Sequence, residues 1–233
     1  MILKIEHLYK NYGKKNALNA INLEIPTGRI VGLLGPNGSG KTTLIKIVTG
    51  LLSQYTGNVQ ILGKQPGTVA NASISYLPDK NHVPTWLKVS GAIDFFGDFY
   101  QDFDRNRAVA MLNSMSIPLD SQLKTLSRGQ QEKVQLSLVM SRKAALYILD
   151  EPIGAVDPAS RDFIIDTILK NYDSQNSSIL LSTHIISDIE PMLDWVVFLK
   201  QGNILLQGEA DNIREEKQSS LDELFREVFR NVA

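Results

Sequence analysis

Gly35-Pro36-Asn37-Gly38-Ser39-Gly40-Lys41-Thr42 fits the spacing G-x-x-x-x-G-K-[ST], and its flanks decide the fold. Upstream, residues 29–34 form a short, nearly continuous apolar run, as a strand buried on both faces of a sheet requires. Downstream, residues 41–49 read as a helix, with Gly50 where a left-handed residue would close it. A strand, a glycine-rich turn and a helix in that order let backbone N–H groups converge on an anion at the positive helix end. Lys41 then reaches toward the β- and γ-phosphates of a nucleotide. The Thr42 hydroxyl, with Thr43 beside it, is placed to ligate Mg²⁺. An accidental lysine after a glycine-rich turn would need neither the strand nor the helix.

Working outward, residues 2–8 and 20–25 alternate apolar and polar side chains and read as half-buried strands. Further strands are expected at 58–62, 73–77, 145–149, 178–182 and 195–200, with a helix at 159–170. Gly202-Asn203, between apolar runs, reads as a hairpin turn. From Ser219 onward, Leu221, Leu224, Phe225, Val228 and Phe229 mark an amphipathic helix. Between Asp79 and Lys143 the character changes. Val89, Ile93, Phe96 and Tyr100 fall at helical spacing, as do Val109, Leu112 and Met115, and residues 130–142 continue the pattern. The fold class expected is α/β: a nucleotide-binding core of residues 1–78 and 144–233, with an α-helical insertion over 79–143.

Bulk composition narrows the setting. With 233 residues and 43% apolar content, the chain is long enough for one large domain or a core plus a lobe. The 24 basic and 25 acidic residues nearly balance and form no basic block, which argues against a nucleic-acid partner. The absence of cysteine excludes disulfides and thiolate metal sites. Charges interrupt Met1-Ile2-Leu3-Lys4-Ile5-Glu6-His7 where a signal peptide needs an apolar stretch. The apolar run 144–149 is far shorter than the ~20 residues that span a bilayer. A soluble chain is expected, with any membrane role exercised through a partner.

Four further segments carry chemistry. Leu146-Tyr147-Ile148-Leu149-Asp150-Glu151 is an apolar strand ending in two carboxylates. Asp150 is placed to hold the water shell of Mg²⁺, and Glu151, pointing elsewhere, to polarise an attacking water. Leu126-Ser127-Arg128-Gly129-Gln130 precedes a helix; alone, Ser127 reads as its N-cap, and its place shortly before Asp150-Glu151 brings in an anion-binding reading. His184 follows an apolar strand, and a lone histidine is more often structural than catalytic. Tyr12 is an aromatic near the N-terminus, where packing is the ordinary role.

Taken in order, these segments resemble the ATP-binding subunits of ABC (ATP-binding cassette) transporters over essentially the whole chain. The residues from Leu126 to Gln130 resemble the family's LSGGQ signature, which few other P-loop ATPases carry. The resemblance implies a RecA-like P-loop NTPase core with an antiparallel β-subdomain and an inserted α-helical subdomain. It also implies ATP and Mg²⁺ as ligands. Gly35, Pro36, Asn37, Gly38, Ser39, Gly40, Lys41, Thr42 and Thr43 would hold phosphate, and Tyr12 would stack on adenine. Asp150 and Thr42 would serve the metal, Glu151 would be the base, and His184 would sense the γ-phosphate. Ser127, Gly129 and Gln130 would meet the ATP of a second ATPase subunit in a head-to-tail dimer, identical or not. Ile153-Gly154-Ala155-Val156-Asp157 resembles the loop that couples the two sites. A transmembrane transporter subunit would be the other partner, which places the chain at the cytoplasmic face of the cell membrane. The texture of residues 149–160 looks most like exporters of antimicrobial or amphipathic peptides in the bacitracin-resistance group.

Two residues depart from the family pattern. Arg128 replaces the first glycine of the LSGGQ pair, and Asp79 stands where many members have a glutamine that contacts Mg²⁺. Asp79 therefore faces either the metal or the membrane partner. A guanine-reading NKxD segment is absent, which removes the GTPase reading. The surviving rival is a soluble ABC-type ATPase acting on a protein complex without transport.

Overall fold

The computed structural model describes residues 1–154 and 157–230. Its strands are β1 (Leu3–Tyr12), β2 (Lys15–Ile25), β3 (Ile30–Leu34), β4 (Thr56–Ile61), β5 (Ile74–Leu77), β6 (Leu146–Asp150), β7 (Ser178–Thr183), β8 (Trp195–Lys200) and β9 (Asn203–Glu209). Its α-helices are α1 (Lys41–Val48), α2 (Thr68–Asn71), α3 (Val89–Phe99), α4 (Arg105–Ser114), α5 (Arg128–Met140), α6 (Pro158–Asn171), α7 (Ala210–Lys217) and α8 (Leu221–Phe229).

A six-stranded sheet in the order β5-β6-β7-β3-β8-β9 forms the centre, parallel except for β9. Successive residues of its strands feed two different cores. Ile179 and Leu181 of β7 and Val196 and Phe198 of β8 join the cluster that also holds Ile168 of α6 and Leu224 of α8. Their neighbours Leu180, Val197 and Leu199 join the cluster that holds Leu44 of α1 and Leu23 of β2. With period-two side chains and both faces covered, β3, β6 and β7 each carry three or more consecutive apolar residues at their centre. The second core is closed by the antiparallel sheet β2-β1-β4.

A third core, which includes Val89, Phe96, Leu112, Val134 and Leu138, belongs to the helical region alone. Arg142, almost fully buried, joins that region to the large sheet. Its guanidinium donates to the carbonyls of Ile74 and Ala72, pairs with Asp102 and lies 4.0 Å from the Tyr100 ring centroid. Burying such a charge is tolerable because its donors are met from both sides.

Some local expectations need correction. The turn between β8 and β9 is centred on Gln201 and Gly202, at φ 46° and 77°, not on Gly202-Asn203. Two positive φ values match the twist of a tight hairpin, and Asn203 begins β9. The fifth helix starts at Arg128, not Gln130, because Ser127 and Gln130 close a reciprocal capping box. Helices α2 and α7 were not expected. Among the described residues, no helix is long and apolar enough to cross a membrane.

Candidate active site

The glycine-rich turn folds as it does because side chains are forbidden at two places. At Gly40, φ is 115° and a Cβ would sit 2.7 Å from the Ala17 carbonyl oxygen. At Gly35 it would sit 2.3 Å from the Leu199 carbonyl oxygen. The turn therefore packs directly on β2 and β8 and delivers Lys41 to the start of α1. The Lys41 ammonium is buried and donates to the carbonyls of Gly35 at 2.6 Å and Pro36 at 3.3 Å. It also lies 3.3 Å from Oε1 of Glu151.

Glu151 leaves the end of β6 in the left-handed region, at φ 52°. For a non-glycine residue that conformation costs ~1–3 kcal/mol, and such strain concentrates at functional sites. Its N–H is held by the carbonyl and the hydroxyl of Ser182 on the neighbouring β7. Its second oxygen, Oε2, is 3.0 Å from Nδ1 of His184. Lys41 and His184 thus hold one carboxylate from two sides.

These groups line one cleft of about 480 Å³, together with residues 37–43, Tyr12 and Asp79. Gly35 and Pro36 serve it through the carbonyls that hold Lys41. The Ser39 hydroxyl is buried there without a hydrogen-bond partner. Asp150 stands behind the cleft, 1% exposed. Burial pushes its carboxyl above the ordinary value, opposed by the hydroxyls of Ser182 and then Thr42. The Ser182 hydroxyl donates to Oδ1, while Oδ2 has no partner. This pair of hard oxygen donors, Asp150 and Thr42, suits Mg²⁺, which takes only one or two protein ligands and draws the rest from phosphate and water.

Ser127, Gly129 and Gln130 do not line this cleft. The Ser127 hydroxyl accepts from the Gln130 N–H at 3.3 Å, and the exposed start of α5 points them elsewhere. Arg128 lines a second cleft, of about 310 Å³, whose walls include Asp79, Lys80, Glu132, Asp150 and Glu151. There Arg128 Nε is 3.2 Å from Glu132 Oε1. In the coupling segment, Asp157 caps α6 by accepting from the Ser160 N–H, whereas Ala155 and Val156 lie outside the described residues. Sequence reasoning missed Ser182, which holds the Asp150 carboxylate and the Glu151 N–H, and the cleft walls Lys15 and Ala17. Position alone signals Ser182, two residues before His184 on a strand beside β6.

Comparison with known proteins identifies the family. Residues 18–154 match the ABC transporter family. A zinc import ATP-binding protein of Wolbachia is 32% identical, over 96% of this chain and 89% of its own. A lantibiotic transport ATP-binding protein of Streptococcus pyogenes is 29% identical, over 96% of each. A solved ATP-binding subunit of an ABC transporter superposes with a TM-score of 0.87 at 26% identity, covering 97% of this chain and 99% of that one.

Proposed function

Since the chain belongs to the ABC transporter family, as an ATP-binding subunit that hydrolyses ATP, we propose that the cleft around Lys41 and Glu151 is where it does so. The observation that carries this reading is the pairing of Lys41 with Glu151 inside the phosphate-sized cradle. A triphosphate entering the cleft competes with Glu151 for the ammonium, because a polyanion offers Lys41 more negative charge than one carboxylate. Ser39 gains an acceptor at the same time. Tyr12, half exposed at the mouth, stacks on the base. Glu151, released from Lys41 but still held by His184, takes the proton of the attacking water. Asp150 and Thr42 hold Mg²⁺, which supplies neutralisation of phosphate charge when bound. Asp79, a wall of both clefts, faces either the metal or the membrane partner.

The exposed N-terminus of α5, with Ser127, Gly129 and Gln130, faces the nucleotide of a second subunit, so that two chains close head to tail on two ATP molecules. A transmembrane subunit docks on the helical region, where Trp86, Phe95 and Phe99 are exposed. The chain then works at the cytoplasmic face of the membrane. Likeness to the lantibiotic transport protein supports export of peptides, and likeness to the zinc import protein supports the opposite direction for a metal ion. We favour peptides, on the texture of residues 149–160.

Glu151→Gln tests the reading. Tagged and captured from membranes with ATP, this variant should bind nucleotide, remain dimeric, retain a polytopic membrane protein and turn over at least a hundredfold more slowly, on the order of the loss of a general base. Normal turnover in a monomeric variant would remove Glu151 from the reaction. Stable retention of a soluble complex in place of a membrane protein would favour the rival without transport.

A further inference from the structure

Lys10 is a buried lysine that the chemistry above does not use. Only 7% of it is exposed, although lysine is almost never buried unless paired. Its ammonium donates to the Gln54 carbonyl at 2.6 Å and lies over the Tyr12 ring, 4.9 Å from the centroid. Tyr12 itself lines the active-site cleft, whereas Lys10 does not. The ring therefore borders the cleft and also lies beneath a buried cation.

The connection has a mechanical side. Tyr12 is the last residue of β1, pairing with Lys15 across a tight turn, and is 49% exposed. A ring at a hairpin tip is free to swing unless something fixes it. Gln54 lies on the segment that leaves α1, and that segment is itself tied to the helix by the Leu52 N–H donating to the Lys46 carbonyl at 2.9 Å. Lys10 thus joins the hairpin tip to the chain leaving the phosphate-binding helix.

We propose that Lys10 is a positioning residue for nucleotide recognition, seating the Tyr12 ring so that one face meets the base while its spacing from the phosphate cradle stays fixed. This rests on Tyr12 being the base platform. The ligand is consequently read in two parts, triphosphate by the cradle and base by the seated ring, and Lys10 acts on the second part only.

The test measures binding of ATP and of inorganic tripolyphosphate, which has no base, to the full-length chain. Lys10→Met keeps the stem and removes the charge; Lys10→Arg keeps a cation able to lie over the ring. The expected result is about a fivefold weaker affinity of Lys10→Met for ATP, the size of one cation–π contact. Its tripolyphosphate affinity should be unchanged, and Lys10→Arg should recover most of the loss. Equal losses for both ligands, or no loss for either, would overturn the proposal. If Lys10→Met is insoluble, Lys10→Gln is read by the same criterion. Tyr12→Leu separates the two readings. If it leaves the ratio of ATP to tripolyphosphate affinity unchanged, Tyr12 is not the platform. If it changes that ratio and Lys10→Met does not, only the role of Lys10 falls.

Discussion

The two clefts on either side of Glu151 share Asp79 as a wall but are built from different materials. On the Lys41 side the wall includes a backbone turn pinned by Gly35 and Gly40, which tolerate no Cβ, and by a buried lysine with oxygen partners on three residues. On the Arg128 side the wall carries several charged side chains, and Arg128 is 73% exposed. Glu132, on the same side, has one buried oxygen without a partner. Burial pushes the Glu132 carboxyl up, opposed by Arg128 and reinforced by Asp79, so the charges there are not independent.

Substitutions can break this contrast, and the largest effect is expected where the backbone cradle loses its cation. Lys41→Ala should weaken ATP binding by roughly 1.5–3 kcal/mol, the worth of a hydrogen bond to a charged group. Titration of the variant with ATP measures it, and unchanged affinity would remove the phosphate assignment. Circular dichroism should show the fold intact, because the cradle is shaped by glycines.

The next effect sharpens the contrast through pH. Asp150, whose buried oxygen reaches the second cleft, holds its proton longer in the folded chain than in the unfolded one. Stability from this group is therefore fully present below the ordinary value of 3.8 and falls as pH rises through the raised one. At pH 7 the carboxylate is a net cost. Asp150→Asn should then raise the thermal midpoint by about 2–4 °C at pH 7, taking a gain of ~1 kcal/mol for a chain of this size. The gain should shrink toward pH 4, and Mg²⁺-dependent hydrolysis should be lost. A lower midpoint at pH 7 would mean that the Ser182 and Thr42 hydroxyls outweigh burial.

Asp79→Gln is the smallest and the most discriminating. A carboxylate near the metal both attracts Mg²⁺ and repels the phosphates, and these terms oppose each other. ATP affinity should change less than threefold, on the scale of a few tenths of a kcal/mol, and turnover should change more. A shifted Mg²⁺ optimum in the isolated chain would place Asp79 with the first cleft. A change seen only with the membrane subunit would place it with the coupling surface, and no change would sink both ideas.

What the sequence disclosed follows the same division. The cradle was legible because its rules are backbone rules: glycines at fixed spacing, a strand before and a helix after. The strand ending in Asp150-Glu151 was legible for a related reason, since a strand with two covered faces must be an apolar run. His184 and Tyr12 were legible only through the family resemblance, because a single ring carries no periodicity. Lys10 was hidden by a bulge. Leu3 and Ile5 are buried, then His7 takes φ 48° and the pairing with β2 shifts, after which Leu8 and Lys10 are the buried residues. An alternating pattern read straight through cannot show a change of phase. The pair of Arg128 and Glu132 shows at i, i+4 spacing, but its neighbour Asp79 comes from another part of the chain.

The three cores differ in how far along the chain they must reach. The core of the helical region draws its buried residues only from positions 83–138, whereas the core beneath the antiparallel sheet joins Ile2 to Leu199. Closing a long loop costs entropy before any contact returns it, so local cores form faster. On the ribosome, the helical region can collapse soon after residue 138 has emerged, while β3 waits for β7 and β8. The half-made chain then carries a finished lobe beside strands with open edges, the species most prone to aggregate. Slowing synthesis between β6 and β8 should therefore lower the soluble yield, although no residue has changed.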